Sequence, residues 1–323
     1  AAGQPFAGVL PEGRAIRILT GAAIPEGVDT VILQEDITTD GARISFRGPP
    51  KQGANIRRAG EDFAIGQTVL PAGRRLTPAD LALLAASGVA EVPVRKRLRV
   101  AVLSTGDELA EPGEQARPDQ IYDANRPMLI AMCRRFGFLP VDLGRAPDER
   151  AALAAFLDRA ADRADVILTS GGASAGDEDH LAALLNQSGA MALWRIAVKP
   201  GRPLALGLWN GTPIFGLPGN PVAAMVCTLV FARPAMGLLA GQGWQEPQRL
   251  SLPAGFTKTK KPGRREYLRA RLRDGRVEVF RSEGSGLISG LSWAEGLVEL
   301  PDDAAKIEIG TPVTYIPYAA FGL

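Results

Sequence analysis

The rhythm of apolar and polar positions changes twice along the 323 residues. Through residues 1–74 apolar positions come in short alternations broken by glycine and proline. Segments 15–19 and 30–33 read as strands. Asp40-Gly41, between apolar runs at 31–38 and 42–46, reads as a hairpin turn. This stretch is expected to be a β-rich domain. A helix follows, with Thr77 as its cap, Pro78 in its first turn and Asp80 at its positive end. Leu81, Leu83, Leu84 and Ala85 give it an apolar side, and Gly88 ends it. That helix and a short strand occupy 75–95.

Over 96–243 the period alternates between that of strands and that of helices. Residues 98–103 form a continuous apolar strand, 126–136 a helix stopped by Gly137, and 149–164 a helix with Leu153, Phe156, Leu157 and Ala160 on one side. A buried strand at 166–168 precedes Gly171-Gly172, 180–186 is helical, and Ile214-Phe215 ends another strand. Asn220 and Pro221 then open a helix reaching about Leu239. Such alternation predicts right-handed βαβ units in a mostly parallel sheet covered on both faces. Residues 244–323 return to strands, with Asp274-Gly275 turning between 267–272 and 277–280 and a last strand at 313–316. The fold class expected is α/β plus β: a central α/β domain between an N-terminal β-rich domain and a small C-terminal β-barrel.

Composition narrows the functions. With 37 Gly and 25 Pro the chain is rich in turns but not of low complexity, which excludes collagen, coiled coil and general disorder. A net charge of +2 gives no basic field for nucleic acid. The apolar run at 221–232 is too short to span a bilayer and no signal peptide is recognisable, so no membrane partner and a cytoplasmic setting are expected. Cys133 and Cys227 sit in apolar helical patterns and read as buried thiols. His180 is the only histidine, which excludes a multi-histidine zinc site. Ala1-Ala2-Gly3, with no initiator Met and no cap, reads as the interior of a longer protein.

In open α/β sheets ligands bind beyond the carboxyl ends of strands. Four expected strand ends carry glycine with polar or charged residues: Ser104 to Glu108, Ser170 to Asp179, Lys199 to Pro203, and Gly216 to Pro221. Glycines let backbone N–H groups approach an anion, and a helix N-terminus adds partial positive charge. Lys199 and Arg202 can balance phosphate. Glu108 and Asp179 are hard oxygen ligands suited to Mg²⁺. Singly, each loop would pass as a turn and each charge as a solvated side chain. Four on one sheet favour a site.

The same loops resemble those of the MoeA-type molybdopterin molybdenumtransferases, the family that includes the gephyrin E-domain. The matching text is Arg17-Ile-Leu-Thr-Gly-Ala-Ala-Ile-Pro, Ile56-Arg-Arg-Ala-Gly-Glu-Asp, Ser104-Thr-Gly-Asp-Glu-Leu, Gln120-Ile-Tyr-Asp-Ala-Asn, Ser170-Gly-Gly-Ala-Ser-Ala-Gly-Asp-Glu-Asp, Lys199-Pro-Gly-Arg-Pro and Gly216-Leu-Pro-Gly-Asn-Pro-Val. The resemblance spans essentially the whole chain. It implies insertion of molybdate into adenylylated molybdopterin with release of AMP, with Mg²⁺, in a homodimer, and makes 75–95 the remnant of an elongated N-terminal domain. It puts catalytic positions on Asp62, Glu108, Asp148, Asp179 and Lys199, with Glu108 and Asp179 as the metal pair. It puts substrate-binding positions on Thr20, Ser104, Gly171, Gly172, Ser174, Lys199, Pro200, Arg202, Asn220, Arg264 and Ser285. The family's Ser-x-Met-Asp-Gly-Tyr-Ala motif does not occur in these residues, Arg195 stands where many members have Lys, and Ala223 where many have Ser. An adenylyltransferase acting on molybdopterin shares the α/β domain type, but the flanking β modules argue against it. A non-catalytic scaffold of the gephyrin E-domain type is the rival from another class.

Overall fold

The computed structural model describes residues 1–171, 180–187 and 191–323. The chain divides into two compact units, Ala1–Ala72 and Gly73–Leu323.

In the first unit the Asp40-Gly41 signal makes the expected hairpin, β1 (Ile37–Thr39) paired with β2 (Ile44–Phe46). Asp40 accepts hydrogen bonds from the Arg43 and Ala42 amides at 2.7 and 2.9 Å, which hold its carboxyl below the ordinary range. Segments 15–19 and 30–33 are not strands, which corrects the β-rich reading. Alternation makes a strand only where a partner completes a ladder. Here Val31 makes two isolated long-range bonds, its amide to Ala54 O and its carbonyl accepting from Asn55 Nδ2, and no ladder extends from them.

The second unit opens with α1 (Pro78–Ala86). Thr77 Oγ1 accepts from the Asp80 amide, and Asp80 Oδ2 accepts from the Thr77 amide at 2.8 Å, a complete capping box. Arg74 binds the other Asp80 oxygen at 2.9 Å and, with the Thr77 bonds, holds that carboxyl at about 2. Gly88, at φ +75°, ends the helix in a conformation that suits glycine.

The central elements are β3 (Arg99–Thr105), a short parallel pair β4 (Leu109–Ala110) and β5 (Ile121–Tyr122), α2 (Asn125–Arg135), β6 (Leu139–Ala146), α3 (Arg150–Arg163), β7 (Val166–Ser170), α4 (His180–Gln187), β8 (Met191–Arg195), β9 (Val198–Lys199), β10 (Pro203–Trp209), β11 (Thr212–Leu217), α5 (Pro221–Cys227) and α6 (Arg233–Leu239). The sheet order is β6-β3-β7-β11-β10-β8. The β6-β3, β3-β7 and β7-β11 ladders are parallel, while β11-β10 and β10-β8 are antiparallel, so the sheet is mixed. Side chains alternate between two cores. Val100, Val102, Val166 and Leu168 pack with Leu129 and Cys133 of α2 and Val226 and Cys227 of α5. Ala101, Leu103 and Ile167 pack on the other face with Leu153 and Leu157 of α3 and Leu181 and Leu185 of α4. A fully buried leucine of this kind contributes roughly 1.5–3 kcal/mol. Cys133 and Cys227 are buried free thiols, and burial pushes both up to about 12.

Pro221 opens α5 as expected, but the Asn220 side chain makes no capping bond. Between α5 and α6 the helix widens to a π turn over Thr228–Ala232, with the Arg233 amide donating to Thr228 O. Pro234 follows directly and has no amide to donate, so the helical ladder is already broken where the π turn sits. The helical run Pro221–Leu239 spans 19 residues, longer than the apolar run read from sequence and long enough to cross a membrane by length and composition, yet most of its apolar window is buried within the protein.

The C-terminal elements are β12 (Leu250–Pro253), β13 (Lys258–Lys260), β14 (Arg265–Arg273), β15 (Arg276–Val279), α7 (Ser289–Trp293), β16 (Gly296–Leu300), β17 (Ala305–Ile307) and β18 (Pro312–Pro317). The sheet runs β12-β18-β16-β14-β15, over a core that includes Phe256, Leu268, Val298 and Tyr315. Asp274 and Gly275, at φ +49° and +73°, make the expected turn between β14 and β15. One isolated bridge, Ala254 with Val277, links the sheet's two edges, so no continuous ladder closes the expected barrel. Strand β9 pairs in parallel with the start of β14, Glu266 opposite Lys199.

Candidate active site

The carboxyl ends of β3, β7 and β11 lie side by side. Ser170 is opposite Ser104 in one ladder and Leu217 in the other. Glycine makes this closeness possible. A Cβ on Gly171, at φ +90°, would run into the backbone oxygen of Thr105. The first residue of α2 ties the edge together. Asn125 is buried and its Nδ2 donates to Ser170 Oγ at 2.7 Å and Gly219 O at 2.6 Å. Among the described residues, Asn125 Oδ1 and, near the ends of β3 and β7, Ser104 Oγ, Thr105 Oγ1 and Thr169 Oγ1 are buried without a hydrogen-bond partner. A buried polar group left unpaired costs about 1–3 kcal/mol, so their concentration at one edge suits a polar ligand.

Glu108 follows β3 and is exposed, its carboxylate folded over Gly106. Gln120 Nε2 bonds Asp107 O and Leu109 O, both at 3.3 Å, fixing the loop that carries Glu108. Arg126 braces the same loop from α2. It pairs with Glu111, with the buried Asp123 at 3.2 Å and with Asp142 of β6 at 2.8 Å. Asp148, after β6, donates its amide to Asp107 Oδ1 at 3.3 Å and lies 3.9 Å from His180 Nε2. The edge therefore gathers Ser104, Glu108, Asp148, Gly171 and Asn220. Gly172, Ser174 and Asp179 lie outside the described residues. Among the described residues no three His, Cys, Asp or Glu side chains form a metal-holding group. The carboxylates present, those of Asp107, Glu108 and Asp148, fit the mode in which Mg²⁺ takes one or two protein oxygens and completes its shell with phosphate and water.

A second cluster lies where β9 joins the C-terminal sheet. Lys199, 34% exposed, contacts Glu283 Oε2 at 2.6 Å and Glu266 Oε1 at 3.6 Å. Lys258 contacts Glu266 Oε2 at 3.1 Å and also pairs with Glu283. Lys199, first by hydrogen bonding, and then Lys258 keep the Glu283 carboxyl below the ordinary glutamate range. Burial works to lower the Lys258 ammonium, but Glu283 and Glu266 outweigh it and hold it above its usual value. Pro200 follows Lys199 through a cis peptide, and Gly201 packs so closely on α5 that a Cβ would fall 2.4 Å from Cys227 Sγ. The Ser285 carbonyl accepts from the Val222 amide at 3.2 Å, which brings Ser285 beside Asn220. Arg202 and Arg264 are exposed, and Arg264 directly precedes β14. Thr20 and Asp62 are exposed residues of the first unit.

Residues 101–237 match the family described as a probable molybdopterin binding domain, 1–88 the MoeA N-terminal region (domain I and II), and 251–318 the MoeA C-terminal region (domain IV). A protein of Haemophilus influenzae named molybdopterin molybdenumtransferase is 39% identical over 98% of this chain and 80% of its own length. The chain belongs to the molybdopterin molybdenumtransferase family. The Mycobacterium tuberculosis relative named molybdopterin molybdenumtransferase 2 is also 39% identical, over 95% of this chain and 80% of its own. Among solved structures, the molybdopterin biosynthesis moeA protein of Pyrococcus horikoshii superposes with a TM-score of 0.85 at 28% identity, covering 98% of this chain and 79% of that one. In this member of the molybdenumtransferase family, the residues that sequence reasoning did not single out are Asn125, Arg126, Lys258, Glu266 and Glu283. Asn125 was within reach, since it closes the Gln120–Asn125 motif; the other four stand in no motif that marks them.

Proposed function

We propose that this chain acts in molybdenum cofactor biosynthesis by inserting molybdate into adenylylated molybdopterin, with release of AMP. The observation that carries the reading is the strand edge, where Asn125 joins two glycine loops and buried hydroxyls stand unpaired, in a chain whose relatives bear the molybdenumtransferase name. The work assigned to this chain's residues is positioning and charge balance. Ser104, Ser170, Gly171 and Asn220, with Gly172 and Ser174, line the seat for the pterin and its phosphates. Lys199 and Arg202, with Arg264 and Ser285, hold molybdate. Asp148 borders the edge beside Asp107 and His180. Glu108 and Asp179 would hold Mg²⁺, which supplies charge neutralisation at the diphosphate. No side-chain nucleophile is required, consistent with two buried thiols. Thr20 and Asp62 are assigned to the site on the resemblance alone.

The test is AMP release from adenylylated molybdopterin with molybdate, with and without Mg²⁺. We expect Mg²⁺-dependent release that falls about 10²–10³-fold in Glu108→Gln, the scale of losing one electrostatic contact in the transition state. Release that is absent, or that ignores both Mg²⁺ and the substitution, would defeat the reading. The same reading carries a homodimer, so sedimentation should give about twice the 34.1 kDa chain mass. A monomer at micromolar concentration would remove that part.

A further inference from the structure

Beneath the loop 281–287 a cleft of about 220 Å³ is lined by residues including Lys199, Pro200, Val222, Lys258, Phe280 and Glu283. Lys199, Lys258 and Glu283 line it, Glu266 contacts both lysines from β14, and the formal charges of these four groups cancel. The two carboxylates are held differently. Glu266 lies on β14 with its side chain only 9% exposed, so it is fixed by the sheet. Glu283 lies on a loop with its side chain 47% exposed, and it makes the shorter contact of the two glutamates to each lysine. The loop backbone on either side of Glu283 is pinned. The buried Arg269 donates from Nη2 to Ser282 O at 2.6 Å and Gly284 O at 2.9 Å, and from Nη1 to Leu287 O at 2.6 Å. Glu283 can therefore leave the lysines by rotating its side chain while the loop stays in place.

We propose that Glu283 is the resting occupant of an oxyanion seat built by Lys199 and Lys258, and that a tetrahedral dianion takes the seat by displacing its carboxylate. That the dianion is molybdate rests on the function proposed above. Lys258 is then a second oxyanion-holding lysine, kept in place by Glu266, which does not leave. With Glu283 turned away, two ammonium charges face one carboxylate, a net charge of +1. A dianion gains more from that field than the single charge of Glu283 does, so the exchange favours a divalent oxyanion over chloride or a monocarboxylate. Arg281 also lines the cleft and adds to the same sign of charge. The occupied resting state spares the lysines an unpaired, partly buried position, which would otherwise be costly.

The experiment is equilibrium binding of sodium molybdate to the intact chain at fixed ionic strength, alongside steady-state AMP release. Glu283→Gln keeps the shape and removes the competing charge, and should tighten molybdate binding by about tenfold, one decade in Kd. Glu283→Asp keeps the charge but shortens the reach, and should tighten binding as well, though less. Lys258→Gln should weaken binding by about tenfold while Lys258→Arg, which keeps the charge, should hold it within about threefold. In turnover, Glu283→Gln should lower KM for molybdate with little change in kcat. Unchanged or weaker binding in Glu283→Gln overturns the seat. So does tighter binding in Glu283→Gln with Glu283→Asp at the wild-type value, because the effect would then be distant charge and not occupancy. Should the glutamate variants tighten binding while no form releases AMP, the seat stands and the proposed reaction falls. AMP release with no tightening gives the reverse.

Discussion

At the carboxyl ends of β3, β7 and β11 the contacts of Gly171 and Asn125 are neutral and closely fitted, whereas those at the β9–β14 junction are ionic and looser. Gly171 leaves no room for a methyl group against Thr105, and Asn125 places two hydrogen bonds across the edge. Around Lys199 and Lys258, by contrast, each charge has more than one partner, and one partner is half exposed. The difference is one of exchangeability. A backbone-lined edge fixes a ligand by shape and cannot be rearranged without loss of packing. An ion-pair cluster keeps its energy when one carboxylate replaces another anion. The first suits the large, rigid part of a substrate, and the second suits a small ion that must enter and leave.

The largest break in this comparison is Gly171→Ala. The added Cβ meets a backbone oxygen at a positive φ, so neither a rotamer change nor a shift of one side chain relieves it. We expect a loss of about 2–4 kcal/mol, read from the denaturant midpoint. A midpoint equal to wild type would mean that the β7 loop is softer than its contacts imply. Asn125→Ala comes next. It strands Ser170 Oγ and Gly219 O at a buried site and should cost about 1–3 kcal/mol, with AMP release reduced as well. If stability holds and only release falls, the asparagine serves the ligand and not the edge. At the charged side Glu283→Gln should move the midpoint least, by about 0.5 kcal/mol, because a half-exposed pair is screened by solvent. A loss as large as that of Gly171→Ala would erase the contrast.

What could be read from the sequence followed the range of the interactions. The Thr77–Asp80 capping box and the Asp40-Gly41 and Asp274-Gly275 turns are complete within a few residues, and each is where the pattern put it. The strands expected at 15–19 and 30–33 failed because period-2 alternation carries no information about a partner. The antiparallel edge formed by β10 and β8 went unread although a signal was present. Asn210-Gly211, at φ +48° and +79°, turns β10 directly into β11 and so requires an antiparallel neighbour. At the site, glycine loops marked the strand ends, since close backbone approach leaves a trace in residue type. The cluster of Lys199, Lys258, Glu266 and Glu283 left none. Its members are up to 84 positions apart, and a lone Lys or Glu looks the same whether it meets a partner or water.

Strand β9 is only two residues long, yet it takes the backbone of Lys199 out of the central sheet and hydrogen-bonds it into the C-terminal one. The boundary that a family comparison draws between these regions is therefore not a seam along which the chain could be cut. A fragment ending near residue 243 would keep Lys199 in its sequence but lose the β14 backbone that orients it and the Lys258, Glu266 and Glu283 side chains that surround it. Exchange of C-terminal regions between relatives would meet the same obstacle, because a transplanted sheet must accept a foreign strand at its own edge. The four-residue cluster of Lys199, Lys258, Glu266 and Glu283 is therefore inherited as the pair of regions joined by β9, and neither region carries it alone.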